Sequence, residues 1–207
     1  MSDRRLFYVA GEPGVGKSTL MREVTSGWSR AYLEKEPGRA PARDLLADTT
    51  HAGQGRIVAV EIGRVREQFS GTDALPSNCI DDAVAYLQSG LAAREAPLLL
   101  AEGARLSVRR FLQAAVNAGW RVQLLHIEGE ELAAERRTNR AHWLRRPEQN
   151  PSWVKGRRTA CRKLAAEAPS WGVEVLAASA EALEQDDAYR EAVVRTAREG
   201  APDYIPR

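Results

Sequence analysis

Short apolar runs recur along the chain at residues 6–10, 57–62, 97–101, 122–127 and 173–177. Each is the length of a strand, and "PLLLA" at 97–101 is continuous. Between most of them the apolar positions repeat at helical spacing, which predicts helices over 17–28, 80–94, 108–118, 130–144 and 152–168, and a last one over 180–198. Strands alternating with helices define an α/β fold: a parallel sheet with helices on both faces. The turn-like "HAGQG" at 51–55 lies between "ARDLLADTT" and "RIVAVEI", which predicts a β-hairpin inserted after the first helix. "RRPEQNP" at 145–151 interrupts two basic helical patterns and reads as a loop.

A chain of 207 residues and 22.8 kDa suits one such domain over 1–207, with a modest insertion. Cys79 and Cys161 stand far apart without metal-ligand spacing, so both are expected to be reduced and packed. No apolar run reaches bilayer length, and the N-terminus leads straight into the first strand; a soluble, cytoplasmic protein is expected, with no membrane partner.

Charge changes the picture once it is divided along the chain. Residues 136–163 hold ten Lys or Arg against the single acid Glu148, a local charge of +9. The formal total is only +2, so the rest of the chain is acidic at −7. Positive charge is gathered into one segment.

The chemistry begins at "FYVAGEPGVGKSTLM", where Gly11, Gly16, Lys17 and Ser18 satisfy G-x-x-x-x-G-K-[ST] between a strand and a helix. A loop built from Gly11, Glu12, Pro13, Gly14, Val15, Gly16, Lys17, Ser18 and Thr19 can curl its N–H groups around phosphate oxygens. The helix N-terminus adds partial positive charge. Lys17 then reaches the β- and γ-phosphates of ATP while the Ser18 hydroxyl ligates Mg2+.

Glu102 follows the apolar run "PLLLA", and strand C-termini in a parallel sheet converge beside the phosphate loop. A carboxylate there can hold Mg2+ directly or through water. The stretch "VEIGRVREQFSGTDALP" supplies Glu61, Arg64, Arg66, Thr72 and Asp73 at the same level. A kinase of an alcohol needs a group that orients the hydroxyl and accepts its proton. Asp73 is the first candidate and Glu61 its rival; turn closure is the plain structural alternative for Asp73 and Thr72.

In the basic segment Arg136, Arg137 and Arg140 share a helix face and suit a lid that neutralises charge on the transferred phosphoryl group. Two or three arginines suffice for a lid. The surplus is interleaved with His142, Trp143 and Trp153, a composition that fits a nucleic-acid backbone with stacking bases. The alternative is a solvated helix face at Arg157, Arg158, Arg162 and Lys163, with Trp143 and Trp153 packed beneath the lid.

With "GEPGVGKST", "LLLAEG" and the lid at 136–146, the chain resembles the nucleoside- and nucleotide-kinase branch of the P-loop proteins. "FSGTDALP" at 69–76 and "NPSWVKGR" at 150–157 are more particular, and resemble bacteriophage kinases that phosphorylate 5-hydroxymethyluracil already incorporated in DNA. The resemblance implies a parallel core in the order 2-3-1-4-5. It also implies ATP- and Mg2+-dependent phosphorylation of the base's hydroxymethyl group. Substrate contacts are then expected from Arg64, Arg66, Thr72, Asp73, Trp153, Lys155 and Arg157. Two other functions stay open: a kinase of a free nucleotide or small metabolite, and a P-loop ATPase or switch without an acceptor.

Overall fold

The computed structural model of the chain describes residues 4–49, 55–63, 71–145, 147–199 and 201. Its strands are β1 (Arg5–Gly11), β2 (Trp28–Leu33), β3 (Arg43–Asp48), β4 (Arg56–Ile62), β5 (Leu98–Glu102), β6 (Arg121–Glu128) and β7 (Glu174–Ser179). The helices are α1 (Lys17–Val24), α2 (Ile80–Gln88), α3 (Leu91–Glu95), α4 (Arg109–Asn117), α5 (Glu130–Trp143), α6 (Pro151–Glu167), α7 (Ala180–Gln185) and α8 (Asp187–Arg198). The strands form one sheet in the order β2-β3-β4-β5-β1-β6-β7. Its parallel part, β4-β5-β1-β6-β7, is 2-3-1-4-5 when the parallel strands are numbered along the chain. The order implied by the resemblance is therefore present, widened by two antiparallel strands at one edge.

Successive side chains of a strand face opposite ways, and β1 shows what this does. Leu6 and Tyr8 join the layer formed with α2, α4 and α6, while Phe7 and Val9 join the layer with α1, α7 and α8. Both faces of β1 and β5 are covered, which is why these central strands are almost wholly apolar.

The β3–β4 hairpin matches expectation, although residues 51–54 of its turn lie outside the described residues. The expectation of a first helix reaching residue 28 is corrected. The helix stops at Val24, where Thr25 turns its hydroxyl onto the Met21 carbonyl at 2.9 Å, and Gly27 (φ 82°) reverses the chain. Trp28 fits a helical repeat in sequence but opens β2 instead. Two longer predicted helices are also broken: Gly90 in the left-handed region divides α2 from α3, and extended Asp186 caps α8 through the Tyr189 N–H. The two cysteines are buried and unpaired, and His126 is a buried strand residue.

Candidate active site

β1 ends at Gly11, in register with its neighbours β5 and β6, so the loop that follows emerges at the C-terminal edge of the sheet. Gly16 caps α1 in the left-handed region. Gly14 has φ 98°, and a Cβ there would lie 2.5 Å from the Ala133 carbonyl oxygen, so the absent side chain is what lets α5 rest on the loop. Lys17 Nζ donates to the carbonyls of Gly11 at 3.0 Å and Glu12 at 2.9 Å. Burial pushes its pKa down, while the negative charges of Glu102 and Asp73 oppose that shift. Both acids are therefore electrostatic neighbours of the loop lysine.

Glu102 ends β5 opposite Val9 and is buried. The Ser18 hydroxyl donates to its Oε1 at 2.9 Å. A hydroxyl and a carboxylate brought together are hard oxygen donors, the set Mg2+ prefers, and the pair fits that ion. A 3-10 turn at Gly71–Ala74 lies on the same strand end. Gly71 has φ 59°, and a Cβ there would come within 2.5 Å of the Glu102 carbonyl oxygen, which explains why the turn begins with glycine.

That turn delivers Thr72 and Asp73. Asp73 Oδ1 accepts from the Ala104 N–H at 2.6 Å, and the buried Tyr8 hydroxyl donates to Gly103 O at 3.0 Å and lies 3.4 Å from Thr72 Oγ1. From the other side, Arg157 Nη2 of α6 donates to Ser107 Oγ at 3.1 Å and Ala104 O at 3.4 Å. The segment after β5 is thus held between the Asp73 turn and α6. Of the proposed substrate residues, the structure brings Thr72, Asp73 and Arg157 together here; Arg64 and Arg66 lie outside the described residues.

Glu61 is buried on β4 but engaged elsewhere. Arg30 Nη1 from β2 sits 2.7 Å from Glu61 Oε2, an ion pair without hydrogen-bond alignment, and 2.9 Å from Asp44 Oδ2. Arg30 Nη2 donates to Thr25 Oγ1 at 2.6 Å. Burial raises the Glu61 pKa to about 7, because the shared Arg30 charge only partly opposes it and Glu102 and Asp44 add to it.

The lid helices dock through a residue whose side chain the sequence reading left without a task. Glu12 is only 4% exposed. Arg158 of α6 grips both its oxygens at 3.1 and 2.9 Å, and Arg137 of α5 reaches Glu12 Oε2 at 3.2 Å and Pro13 O at 2.6 Å. Arg158 also pairs with Glu130. An acid inside an anion-binding loop demands cationic neighbours, and that was the one signal available in sequence. Arg136 contacts Gly14 O at 3.4 Å and Glu184 at 3.0 Å. Arg140 is exposed, without an ion pair among the described residues.

The expected surplus of positive charge is therefore smaller than counted, since Arg162 and Lys163 also face Glu128 and Glu167. Arg140, Arg145 and Lys155 remain exposed and unpaired among the described residues. Trp143 is 81% and Trp153 49% exposed, which rules out the alternative that both pack beneath the lid. Beside the loop, a groove is lined by Val15, Thr19, Leu20, Arg136, Ala180 and Leu183.

Residues 2–189 match the family described as P-loop Nucleotide Kinase3, and the chain belongs to that family. No curated protein matches it. Among solved structures, a protein described as nucleolar GTP-binding protein 1 from Plasmodium falciparum matches at 10% identity, covering 95% of this chain and 89% of that one. The TM-score is 0.28, too low for that likeness to carry any argument. Family and fold together define a nucleotide-binding P-loop protein of the kinase type.

Proposed function

We propose that the protein transfers the γ-phosphoryl group of ATP to a hydroxyl, and that the acceptor is the hydroxymethyl group of 5-hydroxymethyluracil in DNA. The observation that carries the transfer is the meeting of Lys17, Ser18, Glu102 and Asp73 at one strand edge. The loop N–H groups and Lys17 would hold the phosphates, with the nucleobase in the groove beside Thr19 and Leu183. Ser18 and Glu102 would hold Mg2+, which supplies neutralisation of the β- and γ-oxygens.

Asp73 would accept the proton of the acceptor hydroxyl as its oxygen bonds to the γ-phosphorus and the bond to the bridging oxygen of ADP breaks. The ion pair that holds Glu61 to Arg30, and the placing of Asp73 on the turn beside the end of β5, support Asp73 as the base. Arg136 and Arg137, already on the loop, would face the developing charge; Arg140 lies further out, towards the lid tip. The DNA acceptor is supported by exposed Trp143 and Trp153 beside Arg140, Arg145 and Lys155, cations unpaired among the described residues. A base must leave its stack to meet the γ-phosphate, and exposed rings can stack against an unpaired strand.

The test is transfer of labelled γ-phosphate, with Mg2+, into DNA containing 5-hydroxymethyluracil, beside unmodified DNA and the free modified nucleotide. Label in the modified polymer alone is expected. Label in the free nucleotide alone makes this a metabolite kinase, and phosphate release without a labelled acceptor makes it an ATPase.

A further inference from the structure

A buried carboxylate in a phosphate-binding loop is an electrostatic liability, because it repels the anion the loop serves. Glu12 sits there buried and is met by two guanidinium groups from different helices. Arg158 meets it side-on through Nε and Nη2, and its Nη1 pairs with Glu130 at the start of α5, so every terminal nitrogen of Arg158 faces an acid. Hydrogen bonding to Glu12 raises the Arg158 pKa above its ordinary value.

Arg137 is held differently. Its Nη1 alone carries both contacts, to Glu12 and to Pro13 O, leaving Nε and Nη2 uncommitted among the described residues. One arginine is spent on neutralising and tethering; the other is tethered by one nitrogen and has donors to spare.

We propose that Glu12 is a positioning residue that acts through these two arginines: with Arg158 it anchors the α5–α6 lid to the phosphate loop, and it fixes Arg137 with its free nitrogens available to the triphosphate. The role in turnover rests on the phosphoryl-transfer reading above; the anchoring does not. Without Glu12, Arg137 and Arg158 keep their charge but lose their orientation. Attraction of ATP then persists while stabilisation of the transition state is lost, which separates this role from a merely structural one.

Glu12→Gln tests it, with Arg158→Gln as a second variant that leaves the loop sequence intact. In Glu12→Gln, kcat should fall about 10²-fold, the usual consequence of misplaced catalytic groups, with KM for ATP within about threefold of the wild type. In both variants, without any nucleotide, tryptic cleavage at the lid sites Arg140, Arg145 and Lys155, mapped by peptide mass, should accelerate about tenfold. Unchanged cleavage in both variants overturns the anchor. Accelerated cleavage with unchanged kcat, or a loss carried by KM, overturns the positioning role. Absence of ATP turnover in the wild type would refute the transfer reading instead, and the nucleotide-free cleavage rates would still decide whether Glu12 anchors the lid.

Discussion

Ser18 Oγ and Glu102 Oε1 lie 2.9 Å apart, joining the first turn of α1 to the end of β5. The two oxygens come from different elements, so the proposed divalent-ion site depends on the register that sets β5 beside β1. Glu102→Gln keeps the size of the side chain and removes its charge. Phosphoryl transfer should fall by about 10²-fold and the Mg2+ concentration for half-maximal rate should rise, because the amide is a weaker ligand. A normal Mg2+ titration in the variant would remove Glu102 from the metal site.

Lys17 bridges two loop carbonyls at 2.9 and 3.0 Å and is the loop's own positive charge. Lys17→Ala should abolish transfer while the melting temperature stays within a few degrees, since a single substitution typically costs about 1 kcal/mol. Unchanged turnover would sink the assignment.

The choice between Asp73 and Glu61 can be made kinetically. Asp73→Asn should slow single-turnover transfer by about 10²-fold or more, the range for a lost general base, with ATP binding unchanged. Glu61→Gln should leave that step within about threefold. A wild-type single-turnover rate in Asp73→Asn would move the base role to Glu61.

Glu61 leaves its mark on stability. Its pKa is raised by burial from 4.5 to about 7, so the folded protein binds the proton more tightly than the unfolded chain. Below pH 4.5 both states are protonated and nothing is lost. Between about 4.5 and 7 the folded state is progressively penalised, by up to ~3 kcal/mol, and above 7 the penalty is complete. Glu61→Gln carries no such penalty, so its stability relative to the wild type should improve as pH rises across that window and then level off. Parallel stability–pH curves from denaturant titrations would show that Arg30 keeps Glu61 ionised throughout.

Those tests also mark where sequence sufficed. The parallel strands were legible because each is rich in apolar residues, most of all β1 and β5, which are buried along their whole length, and the phosphate loop because its chemistry is local. β2 was hidden because Trp28–Leu33 lies at the sheet edge, with its middle residues exposed, and Trp28 continues the helical spacing of α1 in sequence. Asp73 could be named as a candidate from its loop, but its Ala104 contact depends on how a 3-10 turn settles on β5. The Glu12–Arg158 contact spans 146 positions, and only the fold brings such partners together. Charge counting overstated the free basic surface because it cannot see which arginines are neutralised within the chain.

What remains of that surface makes a sharper prediction than the raw count did. With Arg136, Arg137, Arg158, Arg162 and Lys163 facing acids of the chain, Arg157 bonded to Ser107 and Ala104, and Arg146 outside the described residues, phosphate contacts of DNA should come, among the described residues, from Arg140, Arg145 and Lys155. Affinity for single-stranded DNA should fall with salt, with a log–log slope near −0.7 per phosphate neutralised, hence roughly −2 for three cations. Arg140→Ala or Lys155→Ala should each reduce the slope by about one contact, whereas Arg162→Ala should leave it unchanged. Trp153→Ala should weaken binding by about 1–3 kcal/mol at any salt, because base stacking is not screened. Equal slopes for all three charge variants, measured by fluorescence anisotropy of a labelled oligonucleotide, would mean that the lid tip is not the DNA-binding face.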